Sequence, residues 1–536
     1  MGNILQKPQS AQQKNVQQLL HALPWLAVAA IAGVACTLLY LSLNHPINAD
    51  LAMLHYSGWL MNEKDFVLYR DIFEINFPAP FLLHQLLGKL VGYDAAALRA
   101  VDLFAFGLLG FVSWKILQPV SRASAMAAPC LFAVFYWVNG GEFILEREFI
   151  GLIAASSAFL IATSCEKNLL AGSVLTGITS GIAISIKPNF LVMLPALFII
   201  LWHRKHLADR TTIADSTWKL LTALLFTSGI VSIAPFFWIY YKGGLEAFIH
   251  IYKTFLPIYT RCRYDLWHYD SDAERTAMLV SNFLKFARLS LSFALPGLVW
   301  AWLCNEANAQ ARQRILHLAL MVFAFIWYEL IAGKFWLSHL LPTIYWSVLG
   351  FSLLLSPVAA SAQIWKKLAS IAGVCLFTGF AYLFSQLSLS QMQAAHDTAQ
   401  NSVSRSQKIA DYLKQNLQPG DTVQTLDMAG DGQAALLAAR ATSASRHLID
   451  VPLYMEPESA DTKALRQELV DTLQQKPAAY IVYIQNFLHP GGGNRLREYK
   501  ALNEIIEKDY DIGLDGGDNF TVYRRRPHAL GKVTPR

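Results

Sequence analysis

Acids and bases in this chain gather where long apolar runs begin or end. Asp50 closes the segment Asn44-His45-Pro46-Ile47-Asn48-Ala49-Asp50, and Tyr69-Arg70-Asp71 leads into the apolar, proline-containing stretch Ile72–Pro80. Glu142 and Glu146-Arg147-Glu148 stand together, Lys187 precedes Pro188-Asn189, and Lys334-Phe335-Trp336 is followed by His339. Ionisable groups beside apolar spans are expensive to keep and mark functional sites by default. A carboxylate in such a place can take a proton from a reacting group, and a cation can stabilise charge as it develops. Other chemistries lack residues to carry them. The six cysteines form no CxxC pair or zinc-ligand spacing; Cys36, Cys130, Cys165, Cys304 and Cys375 lie in or beside apolar runs and read as small hydrophobes. His250 and His268 are not spaced as metal ligands on one helix face. Gly491-Gly492-Gly493 follows Pro490 without a Walker lysine and reads as a turn.

The elements that must hold these residues are membrane helices. Of 536 residues 54% are hydrophobic and only 15% charged, against about 25% charged in an ordinary globular protein. A soluble protein cannot expose that surface, so the bilayer acts as solvent for much of the chain. The same figures exclude a disordered chain, a collagen-like repeat and a disulfide-rich secreted scaffold. The net charge of +6 (44 basic less 38 acidic) does not call for nucleic acid, because in a membrane protein the placement of Lys and Arg between spans matters more than their sum. Runs long enough to cross a core of about 30 Å lie near 24–43, 98–117, 124–140, 149–165, 169–186, 189–202, 217–240, 283–303, 315–332, 336–355 and 368–388, about eleven in all. The first has neither the length nor the cleavage site of a signal peptide.

Orientation follows from the basic turns. With residues 1–23 as a cytoplasmic tail, the inner turns hold Lys115 and Arg122, Lys167, His203-Arg204-Lys205-His206 with Arg210, Arg312 and Arg314, and Lys366-Lys367. The spans and loops then occupy 24–390, with two long outer loops at 44–97 and 241–282. Leu51–Leu60 reads as an amphipathic helix lying along the membrane. An odd number of spans leaves residues 395–536 outside. There, strand candidates Thr422–Met428, Ala479–Ile484 and Phe520–Arg524 alternate with helix candidates 403–416, 462–475 and 493–508. The expected fold is therefore a polytopic α-helical membrane protein with a small C-terminal α/β extracytoplasmic domain, integral to the plasma (inner) membrane.

The order of these features resembles the GT-C superfamily of polytopic glycosyltransferases that use polyprenyl-phosphate sugars, among them the protein O-mannosyltransferases and the lipid A aminoarabinose transferases. The resemblance covers the whole chain in layout and residues 44–100 and 140–150 in motif. It rests on an acid just after the first span, Tyr69-Arg70-Asp71 with its proline-containing sequence, a second acid at the mouth of a later span, and an external terminal domain. It implies that Asp50 is the catalytic base, removing the acceptor hydroxyl proton as the oxygen attacks the anomeric carbon with inversion. Glu148 is the second catalytic acid implied. Tyr69, Arg70, Asp71, Arg147, Lys187, Lys334 and His339 are the implied substrate contacts, the cations among them stabilising a leaving lipid phosphate at the depth where such phosphates lie. No metal or other cofactor is expected to be required, although Asp50 with Glu148 could hold a divalent cation. The expected partners are a polyprenyl-phosphate-sugar donor, a glycan, lipid or protein acceptor, and membrane lipids.

Plainer roles fit each residue as well. Asp50 fits an interfacial anchor or helix cap, Arg70-Asp71 a surface ion pair, and Glu146-Arg147-Glu148 a salt-bridged cap. Lys187 and Lys334 suit snorkelling, with His339 and Trp336 as ordinary interface composition. Tyr69 and Trp59 suit the aromatic belt. The interleaved Tyr252, Tyr259, Arg261, Arg263, Tyr264, Trp267, His268 and Tyr269 fit an acceptor, lipid headgroups or the interface itself. A secondary transporter is the rival from another class, though it should carry midplane charges and related halves; a non-catalytic sugar-lipid-binding relative is the third reading.

Overall fold

The computed structural model describes residues 11–43, 49–139, 142–165, 168–208, 213–263, 269–358, 363–428, 430–485, 492–517 and 519–527. The segment 44–48, Lys167, Arg210, Tyr264, Trp267, His268, Pro490 and Gly491 lie outside them. The chain opens with α1 (Ala11–Ser42), α2 (Ala49–Glu63) and α3 (Ala79–Val91), followed by α4 (Ala95–Leu117), α5 (Arg122–Val138), α6 (Arg147–Ser164) and α7 (Leu169–Ile186). Then come α8 (Met193–Ala208), α9 (Ile213–Tyr241), α10 (Leu245–Arg261), α11 (Asp272–Cys304), α12 (Ala309–Ala332), α13 (Leu337–Ser352) and α14 (Ile364–Asn416). Among the described residues ten helices are long and apolar enough to cross a membrane, and α5 is a shorter apolar helix of 17 residues. Each of the expected runs coincides with one of these, so the chain is a multi-pass membrane protein.

Local sequence sets several boundaries. Ser121, Asn168 and Asn308 accept from the backbone N–H groups of Ser124, Ala171 and Ala311 and so cap α5, α7 and α12. Gly333, at φ +69°, closes α12 in the left-handed conformation that glycine tolerates best. Pro188 disfavours helix at the residue before it; Lys187 is extended, α7 stops there, and a tight turn at Pro188–Val192 starts the next span. On α7, Gly177 and Gly181 let α9 approach to backbone contact: a Cβ at either would come within 2.7 Å of a carbonyl oxygen, Leu224 or Ser228. This is the close small-residue packing that membrane helices use in place of a hydrophobic drive.

The C-terminal domain is α/β, as expected. Its elements are β1 (Thr422–Leu426), α15 (Asp431–Ala439), β2 (Thr442–Ser443), α16 (Ala460–Gln475), β3 (Tyr480–Ile484), α17 (Arg495–Glu498), α18 (Lys500–Asp509), β4 (Tyr510–Asp515) and β5 (Phe520–Arg525). The sheet order is β2-β1-β3-β5-β4, with β2, β1 and β3 parallel and β5 and β4 antiparallel. The candidate helix at 403–416 is no separate element. It is the far end of α14, which runs unbroken from the last span because no Gly or Pro interrupts residues 380–416.

Helix α2 departs from expectation more sharply. Every residue from Leu51 to Leu60 is buried, so α2 does not lie along a membrane surface. The sheet domain covers it, and the Tyr56 hydroxyl donates to the Ala441 carbonyl at 2.9 Å. One hydrophobic cluster joins Leu54 and Tyr56 of α2, Phe73, Phe255 and Ile258 of α10, and Leu436, Val451 and Val482 of the sheet domain. Both long loops and the sheet domain therefore sit on the same end of the helix bundle, called here the domain-side end.

Candidate active site

The acids and bases named above are delivered to the domain-side end by helix termini. Asp50 lies in the first turn of α2, Glu148 in the first turn of α6, and His339 in the first turns of α13. Acids are favoured at a helix N-terminus because its unpaired N–H groups carry partial positive charge. The approach to α6 is pinned from inside the bundle. Asp102 on α4 is fully buried; its Oδ1 accepts from the Tyr136 hydroxyl and from the Leu145 backbone N–H at 3.2 Å, while Arg99 pairs with Oδ2 at 2.8 Å. Leu145 is held at φ +47°, an uncommon conformation for a branched residue. Two residues later the chain presents Arg147.

Arg147 is a hub. Its Nε donates to Glu146 Oε1 at 3.1 Å and its Nη2 to Asp50 Oδ2 at 2.9 Å. Lys187 forms an ion pair with Glu148, and His339 Nε2 lies 3.5 Å from the same carboxylate oxygen. Burial pushes the Glu146 carboxyl up to about 8 against the pull of Arg147, so this acid is largely protonated at neutral pH. Burial also raises Glu74, although its Oε1 accepts from the backbone N–H groups of Ile75 and Asn76 at 2.7 and 2.9 Å. Asp50 differs from both. Its side chain is 46% exposed, the most open in this group of ion pairs.

What Asp50 faces is a cavity of about 330 Å³. Asp50, Arg147, Lys187 and His339 line it, together with Glu74 and Asn76 from the first loop, Asn189, and Tyr252 and Tyr259 of α10. The sheet domain supplies the roof through Met428, Gly430, Ile449 and Val451. Four of the sequence-expected site residues thus meet at one cavity.

The other five are placed differently. Glu148 lies behind Lys187 with no exposure, one oxygen on that lysine and the other without a hydrogen-bond partner. Tyr69 is buried at φ +70°, donates to the Asn76 carbonyl at 2.6 Å and packs on Phe248. It braces the loop that carries Glu74 rather than lining the cavity. Arg70 and Asp71 pair with each other at 2.7 Å, with Arg70 54% exposed, and Asp71 accepts from the Val67 N–H. Lys334 is buried and gives its ammonium to the carbonyls of Tyr259 and Cys262, the C-terminus of α10. The Tyr259 carbonyl also accepts from the Cys262 backbone N–H at 3.3 Å, and a cation at this helix end answers the helix dipole.

Sequence reasoning assigned no role to Glu74, Asn76, Asn189 or the roof residues. For Glu74 and Asn76 a signal was present: they are polar positions inside an apolar, proline-containing stretch. The roof residues carry none, since apolar side chains after a strand read as domain core. Among the described residues no three His, Cys, Asp or Glu side chains converge as metal ligands. Asp50 and Glu148, the pair considered for a divalent ion, are each engaged by a cation of the protein, Arg147 and Lys187.

No protein-family model matches the chain, and a search of curated proteins finds no match. Solved structures do resemble it. ArnT from Cupriavidus metallidurans in the apo state gives a TM-score of 0.56 at 15% identity, covering 92% of this chain and 97% of that one. The same protein bound to undecaprenyl phosphate gives 0.57 at 14% identity, covering 95% and 99%. The Archaeoglobus fulgidus oligosaccharyltransferase gives 0.44 at 11% identity over 95% of this chain and 74% of that one. The likeness to ArnT shows that the chain has its fold over nearly its whole length: a membrane-helical bundle with a small sheet domain.

Proposed function

We propose that this protein is an integral-membrane glycosyltransferase that moves a sugar from a polyprenyl-phosphate donor to an envelope glycan, lipid or protein. One observation carries the reading: a half-exposed Asp50, fixed by Arg147, opens into a roofed cavity at the membrane-edge mouth of the bundle, with Lys187 beside it. ArnT, whose fold the chain shares, has been solved with undecaprenyl phosphate bound, and a donor of that chemistry suits a cavity at this depth.

In this reading Asp50 takes the proton of the acceptor hydroxyl while its oxygen forms a bond to the anomeric carbon. The bond from that carbon to the phosphate oxygen breaks on the opposite face, inverting the centre, and the lipid phosphate leaves with the electron pair. A phosphate is a weak base and needs charge stabilisation more than a proton, which Lys187 and Arg147 supply. Glu148 acts through Lys187 as a positioning residue. The domain-side end faces outward and residues 1–23 lie in the cytoplasm, as the basic turns imply.

The test is transfer by the purified protein from undecaprenyl-phosphate sugars to candidate acceptors. Asp50→Asn should lower turnover by roughly 10²- to 10⁴-fold, the usual contribution of a general base, while donor binding persists. Normal turnover in that variant would overturn the base assignment. Donor binding without transfer by the wild type, over a broad acceptor panel, would favour a non-catalytic sugar-lipid-binding protein.

A further inference from the structure

A second cavity, of about 280 Å³, lies between α5, α11, α12, α13 and α14. Five phenylalanines wall it: Phe135, Phe286, Phe293, Phe380 and Phe384. One ionisable side chain lines it, Glu329 of α12, which is 1% exposed. Neither of its carboxylate oxygens has a hydrogen-bond partner.

Thr343 brings a hydroxyl close to the Glu329 carboxylate, but the proton of that hydroxyl and those of its neighbours are committed elsewhere. Thr343 donates to the Phe325 carbonyl at 2.7 Å, and Ser347 donates to the Thr343 carbonyl at 2.8 Å. Ser290 and Ser347 share a hydrogen bond of 2.6 Å, for which Ser290 is then the donor. All three hydroxyl protons are therefore spent, since a hydroxyl has one to give. Lys187, the cation that acts on Glu329 electrostatically, makes its contact with Glu148. A buried acid without a partner is costly, and at membrane depth such acids face a ligand path or a cavity.

We propose that this cavity binds a protonated lipophilic amine, its ammonium on Glu329 and its hydrocarbon body among the phenylalanines. Ring faces attract cations, and the carboxylate supplies the countercharge and acceptors that an ammonium with three donors requires. Leu289 at the cavity is 63% exposed on a membrane-spanning helix, so the ligand enters from the bilayer. The site is independent of the glycosyltransferase reading and uses none of its residues.

The experiment measures binding of radiolabelled dodecylamine to the full-length protein in phosphatidylcholine nanodiscs, with dodecan-1-ol as competitor. Saturable binding is expected, with Glu329→Gln weakening it at least about tenfold, as loss of a charge-assisted contact should. Dodecanol should compete at least about tenfold less well than the unlabelled amine, because it offers no cation to the rings or to the acid. Leu289→Trp, which blocks the entrance and leaves the acid in place, should weaken binding too, and it keeps the proposal testable if Glu329→Gln does not fold. Unchanged amine binding in either folded variant, equal competition by dodecanol, or no saturable binding would overturn the proposal.

Discussion

The two ends of α6 make an informative pair. At its start, Glu146, Arg147 and Glu148 meet Asp50 and Lys187 around a cavity. At its end, Arg204 and Arg314 converge on Thr163, whose carbonyl and hydroxyl accept from them, and His203 Nδ1 lies 3.0 Å from His317 Nε2. Both ends obey the helix dipole, with acids at the N-terminus and cations at the C-terminus. The difference is what remains after that. At the far end these guanidinium contacts are spent on the backbone and hydroxyl of α6. At the domain-side end a carboxylate is left half exposed toward a cavity that protein closes from above. Charge at a membrane edge does not by itself make a site; charge that the fold has not consumed, facing space, does.

Perturbing the two ends should give effects of very different size. After Asp50→Asn, the largest loss is expected for Lys187→Met, which leaves Glu148 buried without its ion-pair partner, Arg147 and His339 being the groups that still act on it. Stranding one member of a buried pair costs about 3–5 kcal/mol, so thermal stability should drop steeply along with transfer. Adding Glu148→Gln to Lys187→Met should recover much of the stability and none of the transfer, a split that denaturation and turnover measurements can resolve. A double variant with transfer restored would remove Lys187 from the chemistry.

Asp102→Asn comes next. It weakens the hold on Leu145 and Tyr136, and through them the placement of Arg147. It also leaves the buried Arg99 without its countercharge, so a stability loss of about 3–5 kcal/mol is expected. Turnover should fall with little change in KM for the donor; an unchanged turnover would show that the approach to α6 needs no such brace.

Glu146 gives a smaller effect that depends on pH. Its carboxyl ordinarily titrates near 4.5 and is raised to about 8 in the folded protein. Between those values the folded state keeps a proton that the unfolded state has released, so stability falls as pH rises through that window. In Glu146→Gln the decline in Tm between about pH 5 and pH 8 should be shallower than in the wild type. An identical slope would contradict the raised carboxyl. The smallest effect belongs to the far end: Arg314→Gln should cost about 1 kcal/mol as a lost helix-terminus contact and leave transfer unaltered.

Hydropathy made the helix bundle legible, because a span of about 20 apolar residues has few alternatives to crossing a bilayer. Even the marginal α5 stood out as a run. Strands β1, β3 and β5 were legible as short apolar segments between breaks, whereas β4 was not: its outward Ile512 and central Gly513 look like loop, and Ile512 is 63% exposed. The burial of α2 was hidden for another reason. Its covering partner, α15, lies almost 400 positions away, and no local pattern announces a contact such as Tyr56 with Ala441. At the site, Asp50, Arg147, Lys187 and His339 were found because charge is scarce near spans. The same scarcity drew attention to Lys334, whose duty to the end of α10 depends on carbonyls that sequence cannot display. The roof went unread because Met428, Ile449 and Val451 are apolar residues whose exposure to a cavity is decided by how the sheet domain docks.

On the proposed function, donor chemistry belongs to the domain-side end of α6 and not to its far end. An experimental structure of the protein in nanodiscs with undecaprenyl phosphate tests it most directly. Phosphate density is expected in the cavity beside Asp50, within contact of Lys187 or Arg147 and beneath Met428 and Val451. Phosphate density at Arg204 and Arg314, with the cavity lacking it, would place the donor at the far end instead.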